Sequence, residues 1–552
     1  MKPFPYTVRY SALLGVVAIA VLSSLLAVSV SPWWWTASAV FSALSLRGLR
    51  DMCQRRHAVL RNYPLLGHLR FWMERLRPGV RQYFIESSLD GRPFSRDVRS
   101  LVYQRAKGES AQKAFGTERD VYSTGHEFFV TSMAPEPVVE TPFTVRVGGP
   151  DCLKPYDMAL LNVSAMSFGA LSGNAVRALN EGARQGRFAH DTGEGGLSEH
   201  HLAGGGDLIW QIGTGYFGCR TPEGRFDAAQ FTTTASQTHV KCILLKLSQG
   251  AKPGMGGVLP GAKVNAEVAR ARGVAPGETV ASPAWHPDCR TPRELVRFVA
   301  YLRTLSLGKP VGIKLCVGSR HQVLALCKAM LAEESAPDFI VVDGAEGGTG
   351  AAPLEFTDQL GMPLTDGLIT LHNALVGTGL REHVKVGASG KIATGGDIVS
   401  RLVQGADFTN SARAMLLAIG CIQAQQCHSN DCPTGVATQD SRRARALHVG
   451  DKAQRVRRYQ QATARSAQQI MATLGIQHPD ELHPGMLRRR MDTGITCSYF
   501  ELYEWLDHGE LLVSPPASWV VDWAHAHPDT FTPVQWHPRA RLRPQLPGGQ
   551  TF

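Results

Sequence analysis

Eight short apolar runs, each ending in glycine or a small polar residue and each followed by a stretch of helical character, recur from Ala159 onward. They occupy residues 159–165, 187–191, 208–213, 242–247, 311–316, 339–343, 384–387 and 406–410. Eight strand-then-helix units predict an α/β chain folded as a (β/α)8 TIM barrel, whose site is built at the C-terminal ends of its strands. The gap between the fourth and fifth runs is long. It holds a Pro- and Gly-rich stretch, 250–287, and long loops on that face carry function.

The N-terminus is of another kind. Residues 11–30 contain no charged side chain, and about 20 such residues span a bilayer core. After Ser31 and Pro32 come Trp33, Trp34 and Trp35, which suit an interfacial belt, and then a shorter apolar run to Leu46. A transmembrane helical hairpin preceding the barrel is the expectation, set against one span with an interfacial helix and against a cleaved signal peptide. Lys2 and Arg9 before the pair and the arginines after it put both flanks, and the catalytic domain, on the cytoplasmic side of a membrane.

The formal charge of +11 raises the question of nucleic acid, but residues 47–107 alone hold fourteen Lys or Arg against five Asp or Glu. A basic block directly after an apolar hairpin fits anionic membrane lipid, so no nucleic-acid partner is expected. The 11 cysteines are odd in number and mostly single within apolar runs, unlike a disulfide framework, which favours a reducing compartment.

Three of them cluster. Cys421, Cys427 and Cys432 fall within twelve residues of a turn-forming segment stopped by Pro433. Three unrelated thiols are one reading. Zinc is another, although it wants four ligands and the run has no CxxC pair; His428 stands too close to Cys427 to converge easily with it. Three thiolates on a three-iron cluster are the reading the count favours.

The run Cys-x5-Cys-x4-Cys-Pro-x-Gly-Val-Ala-Thr-Gln resembles the [3Fe-4S] segment of the glutamate synthase family. The blocks SAMSFGALS (164–172), DTGEGG (191–196), KLSQGAKPG (246–254) and DGAEGGTG (343–350) are similar to that family's flavin-site blocks in the same order, over roughly 140–440. Standalone FMN-binding members of the family are the nearer resemblance. Met1 is followed by Lys2, with no nucleophile cysteine, and a glutaminase half needs a couple of hundred further residues, so glutamine hydrolysis is not expected.

The resemblance implies FMN and a [3Fe-4S] cluster held by Cys421, Cys427 and Cys432. Its implied flavin contacts are Ser164, Ala165, Met166, Ser167, Thr192, Lys246, Gln249 and Gly348, with the main chain of Gly250 and Ala251. Ser389, Gly390, Gly395, Gly396, Ser411 and Ala412 follow the seventh and eighth runs, where barrels of this kind seat a phosphate. An ammonium near the end of an apolar strand needs a negative partner, and the resemblance implies that Lys246 approaches the flavin and stabilises its reduced form. Glu194, between two glycines, is the implied proton carrier, and Lys246 and Glu194 are the catalytic pair. Glu194, Lys252 and Arg272 match substrate positions, the cations binding carboxylate. Met255 and Val258 stand where the family has Glu and Gln, which departs from a 2-oxoglutarate site.

The function expected is an FMN- and iron-sulfur-dependent oxidoreductase acting on CH–NH2 donors, reducing a 2-oxo or 2-imino acid to an amino acid. Its electrons would come from a ferredoxin, a reductase or a quinol, because the Gly213–Gly218 glycines run into Cys219 and Pro222 and not into a dinucleotide helix. The alternatives are a 2-hydroxy acid oxidase, for which no His and Arg pair is found, and a membrane-tethered redox sensor or electron-transfer subunit. The expected domains are an anchor (1–48), a basic linker and helical extension (49–140), the barrel with its iron-sulfur segment at 421–432 (141–480) and a C-terminal extension (481–552). The tail from 525 is proline-rich and reads as poorly ordered.

Overall fold

The computed structural model describes residues 7–492 and 494–532; Lys2 and residues 533–552 of the proline-rich tail lie outside the described residues. The chain divides into two compact units between Pro93 and Phe94.

In the first unit, helices α1 (Thr7–Ser29) and α2 (Trp34–Cys53) pack on each other. Leu13, Ala20 and Ala27, spaced seven apart, are buried on α1, and Ser38 and Gly48 are buried on α2. Small residues let the axes approach: a Cβ on Gly48 would lie 2.4 Å from Leu13 Cδ1, and the hydroxyls of Ser24 and Ser38 meet at 2.6 Å. The opposite faces leave Leu22, Leu25, Val28, Trp33, Trp34 and Trp35 exposed. Among the described residues, one helix, over Arg9–Ser29, is long and apolar enough to cross a membrane. The α2 helix ends on Asp51, whose buried carboxylate accepts Leu65 N at 3.2 Å and faces His68 Nε2 at 2.8 Å.

In the second unit, eight parallel strands close into a barrel: β1 (Leu161–Val163), β2 (His190–Asp191), β3 (Leu208–Ile212), β4 (Val240–Lys246), β5 (Val311–Leu315), β6 (Phe339–Asp343), β7 (Lys385–Ser389) and β8 (Phe408–Ser411). Each predicted run supplies one of them. Side chains alternate as strand geometry requires. Ile209, Cys242, Leu244, Phe339, Val341 and Phe408 fill the interior, while Trp210, Ile243, Leu245, Ile313 and Ile340 pack under the surrounding helices. Glycine makes room for the two large rings: a Cβ on Gly312 or Gly387 would lie 2.6 Å from the ring of Phe339 or Phe408. The antiparallel ribbon of Thr144–Val147 and Tyr156–Ala159 adds Val147 and Met158 to that interior.

The last inward residue of each long strand breaks the apolar pattern. Gln211, Lys246, Lys314, Asp343, Ser389 and Asn410 stand at the C-terminal ends, so the barrel closes upward in a polar layer.

The flanking segments belong to the barrel unit. Helix Arg96–Lys107 packs on helix Val449–Thr473, and Glu127–Phe129 pairs with Leu487–Asp492, which pairs with Ile495–Ser498. The division between the two units falls after Pro93. The helix Val449–Thr473 also meets the chain that precedes the barrel, Gln468 Nε2 donating to Val139 O at 3.0 Å and to Thr141 O at 2.8 Å.

Candidate active site at the barrel mouth

The polar strand ends open into a cavity walled by the loops that follow them. Lys246 leaves β4 with its ammonium buried and donates to Glu194 Oε1 and to Gln249 Oε1, both at 2.8 Å. Glu194 reaches it from the loop after β2. Burial alone would raise the Glu194 carboxyl, but Lys246, Arg272 and Lys314 outweigh it and hold the group below the usual carboxylate range. Lys246 is itself pulled down, because burial and the neighbouring Lys314 exceed what Glu194 returns. His286 fixes the strand end by donating from Nε2 to Lys246 O at 2.8 Å.

Beneath this pair, Asp191 accepts Gly193 N at 2.9 Å and Gln211 Nε2 at 3.1 Å, and burial pushes its carboxyl up to about 6. Lys314, in register beside Lys246 on β5, supplies the opposing positive charge.

Close main-chain approaches hold the loops. Gly193, at φ +67°, lies where a Cβ would be 2.5 Å from Ser167 N, and a Cβ on Gly250 would be 1.7 Å from Gly344 O. Gly250 N also donates to Asp343 Oδ2 at 3.1 Å. The long loop after β4 carries a ribbon of Val258–Leu259 and Val280–Ala281 and the helix Ala266–Arg272. Gly257 stands against Glu194, a Cβ there being 2.3 Å from Oε1.

Of the residues expected from sequence, Ser164, Ala165, Met166, Ser167, Glu194, Lys246, Gln249, Lys252, Gly348, Ser389, Gly390, Ala412 and Cys427 line this one cavity. Others do not. Thr192 turns its hydroxyl into the wall, accepting Gln211 N at 3.0 Å. Ser411 donates to Ile392 O at 2.7 Å. Gly395 packs on the C-terminal helix, where a Cβ would be 2.6 Å from Ala467 N, and Gly396 follows it within the helix Gly395–Val403. Asp397 caps that helix itself by accepting Ala393 N and Thr394 N at 2.9 Å each. Arg413 and the loop 389–392 stand at the rim of the cavity; Arg413 donates to Glu346 O at 2.8 Å and lies over the Phe94 ring at 5.2 Å.

Arg272 also differs from expectation. Its guanidinium is buried in the wall, donating to Ser167 Oγ at 3.1 Å and Phe168 O at 3.3 Å above the Phe217 ring. Lys252 does line the cavity, 2% exposed, and burial next to Lys246 lowers its pKa.

Cys427 and His428 border the same cavity. Lys263 joins their segment to the mouth, donating to Cys427 O at 2.9 Å and Ala170 O at 2.7 Å. Tyr103 OH donates to Cys421 O at 2.8 Å, and Gln423 clamps the Phe94 peptide from both sides at 3.0 and 3.1 Å. Gln423, Gln425 and Asn430 have positive φ, so the segment turns repeatedly between its three cysteines. Among the described residues, no three His, Cys, Asp or Glu are grouped to hold a single ion. In a three-iron cluster each thiolate ligates a different iron, so the donor set of three cysteines fits that group.

Sequence reasoning passed over Gln211 and Lys314, which read as ordinary strand residues although period-two alternation marks them as inward. Lys263 and Phe94 arrive from distant segments and carry no local signal, whereas Arg413 belongs to the run 410–413 that opens the helix after the eighth strand, where the sequence already suggests a phosphate site.

Residues 155–477 match the conserved region in glutamate synthase. The glutamate synthase large subunit-like protein YerD of Bacillus subtilis is 37% identical over 472 residues, 78% of this chain and 89% of that one. The archaeal-type glutamate synthase [NADPH] of Thermotoga neapolitana is 31% identical over 314 residues, 57% of this chain; the match spans 59% of that relative's length. Among solved structures, a mandelate oxidase mutant bearing an FMN adduct aligns over 77% of this chain and 99% of its own, at a TM-score of 0.41 and 14% identity.

A closed parallel barrel with a charged pair in its mouth, in a chain matched over residues 155–477 by the conserved region in glutamate synthase, defines an oxidoreductase of the (β/α)8 class. The chain belongs to the glutamate synthase family, whose members are oxidoreductases acting on CH–NH2 donors.

Proposed function

We propose that the protein is an FMN- and [3Fe-4S]-dependent oxidoreductase that converts a 2-oxo acid and ammonia, through the 2-imino acid, to an amino acid. The observation that carries this reading is the buried Lys246–Glu194 pair at the floor of a cavity whose rim holds anion-binding groups. A 2-oxo acid and ammonia lose water to form the imine, which gains a hydride at C2 and a proton at nitrogen. The two electrons come from an external ferredoxin, reductase or quinol.

FMN, when bound, supplies the hydride. Arg413 and the loop 389–392 hold the phosphate, and Ser164, Ala165, Met166 and Ser167 present small side chains to the ring. Lys246 and Lys314 offset negative charge on the reduced ring. Glu194 orients the imine and carries its proton, Lys246 keeps Glu194 ionised between turnovers, and Lys252 binds the substrate carboxylate. Cys421, Cys427 and Cys432 would hold the cluster, which would supply one-electron storage. Nitrogen enters as ammonia, without a glutaminase of the chain's own.

We place the anchor (1–48) as a membrane hairpin with the body cytoplasmic. The exposed apolar faces of α1 and α2, the three tryptophans at their turn and the basic residues beyond them support it. The full chain should then resist alkaline carbonate extraction, and removal of residues 1–53 should release a flavin-bearing body; a full chain that extracts freely ends the anchor reading.

Anaerobic holoprotein reduced with dithionite tests the chemistry. Reoxidation by a 2-oxo acid with ammonia, yielding the amino acid, is expected. Inertness toward a panel of 2-oxo acids favours a membrane-tethered redox sensor or electron-transfer subunit.

A further inference from the structure

We infer that Phe94 and Gln423 are positioning residues for the cofactor phosphate: they hold the Arg413 guanidinium at the rim of the cavity. This rests on the reading above of Arg413 as a phosphate partner, and adds the residues through which the chain fixes it.

Arg413 opens the helix Arg413–Ala418 directly after β8 and lines the cavity. A long cationic side chain grips a phosphate best when its fork is aimed in advance, because ordering it on binding costs affinity. Three contacts aim this one. Nη2 donates to Glu346 O at 2.8 Å. The side chain runs so close along Gly348 that a Cβ there would lie 2.8 Å from its Cδ and its Nε. The Phe94 ring lies against the guanidinium, 5.2 Å from Cζ to the centroid. Apart from Glu346 O, its donors meet no protein acceptor among the described residues, so the fork stays available to a ligand.

Phe94 is buried in the cavity wall, yet it precedes the barrel and lies outside the region 155–477 shared with the family. One side chain grips its peptide on both sides. Gln423 Oε1 accepts Phe94 N at 3.0 Å, and Gln423 Nε2 donates to Phe94 O at 3.1 Å. A carboxamide satisfies both groups at once, which neither a carboxylate nor an alkyl chain can do. Gln423 is fixed in turn at φ +57°, with its N–H donated to Cys421 Sγ at 3.4 Å. The helix that follows Phe94, Arg96–Lys107, packs on Arg413–Ala418 itself. Ring and guanidinium are therefore set by two segments distant in sequence. Releasing the Phe94 peptide frees the ring to leave, and without the ring the guanidinium loses one of the three contacts that aim it.

Flavin release from the holoprotein, read as recovered fluorescence, tests this with FMN and with riboflavin, which lacks the phosphate. Arg413→Gln should lower the preference for FMN over riboflavin about tenfold or more. Phe94→Leu and Gln423→Met should each lower that preference roughly threefold or more while leaving riboflavin retention unchanged. Because Gln423 acts through the ring, the double variant should be no worse than the poorer of the two single ones. If Arg413→Gln lowers the preference and neither of the other two does, the positioning role falls and the phosphate reading stands. An unchanged preference in Arg413→Gln overturns both. Equal losses of FMN and riboflavin from Phe94→Leu and Gln423→Met mean a loosened cavity and overturn the inference, as does a double variant whose losses simply add.

Discussion

The ammonium of Lys246 and the carboxylate of Glu194 meet 2.8 Å apart, both largely shielded from water, although they come from strand ends 52 residues apart in sequence. Neither charge has an adequate substitute partner. Lys246→Met leaves the carboxylate buried beside Lys314 and Arg272 only, and breaking a buried pair by removing one partner costs about 3–5 kcal/mol. The double variant Lys246→Met/Glu194→Gln should recover much of that loss. Chemical denaturation of the two variants decides it; a single variant no less stable than the double one means the pair is not coupled.

The same residue reports on flavin. Removing a cation beside the reduced ring should make bound flavin harder to reduce, so the midpoint potential of Lys246→Met should fall. Spectroelectrochemical titration measures this independently of turnover. An unchanged potential would place the charge compensation on Lys314 instead.

The barrel was legible because its strands obey a local rule: apolar, short and stopped by glycine or a small polar residue. The structure starts β7 one residue later and ends it two later than the sequence predicts, at Ser389, since pairing to β6 and not composition sets the last rung. The site was legible where a glycine-rich block follows a strand, as at Glu194 and Gln249. It was not legible where the deciding contact is made by another segment. Nothing in 389–396 announces that Asp397 closes the helix terminus, and nothing in 261–272 tells that Lys263 faces the cavity while Arg272 turns into the wall.

Acid should destabilise the body before carboxylates protonate. Burial drives His190 down to about 3 and His286 and His372 to about 4, and His201 well below its usual value. The unfolded chain takes up these protons from about pH 6.5 downward while the folded chain does not, so stability falls as pH drops through that window, by roughly 1.4 kcal/mol per pH unit for each imidazole. Asp191, raised to about 6, works in the opposite sense, but one carboxyl stands against four imidazoles. Both ring nitrogens of His190 lack a partner, so His190→Leu should make the acid limb of the melting profile shallower. An unaltered slope would mean that His190 titrates normally.

Gly250 ties the loop after β4 to the loop after β6 at a distance no side chain fits. In Gly250→Ala the new Cβ would fall 1.7 Å from a main-chain oxygen that cannot rotate away. The loops must part, at a cost of about 3 kcal/mol or more. Since Gln249 and Lys252 flank the position, flavin affinity should fall as well. Fluorescence of released flavin checks this; wild-type retention would show that the loops open without disturbing the cavity.

Cys427 borders the cavity itself, its carbonyl is tied to Lys263, and its segment is clamped through Gln423 to Phe94. A thiolate set in so constrained a loop is either a cluster ligand or an idle surface of the cavity, and iron content distinguishes the two. Cys427→Ser keeps size and leaves the carbonyl bond to Lys263 intact, so the barrel and its flavin should persist. Iron and acid-labile sulfide, measured on anaerobic preparations, should drop to background together with the low-temperature electron paramagnetic resonance of the oxidised cluster. Preparations of the parent chain that hold zinc, or no sulfide, would remove the redox role assigned to Cys421, Cys427 and Cys432 and leave a flavin barrel that must take its electrons directly from its donor.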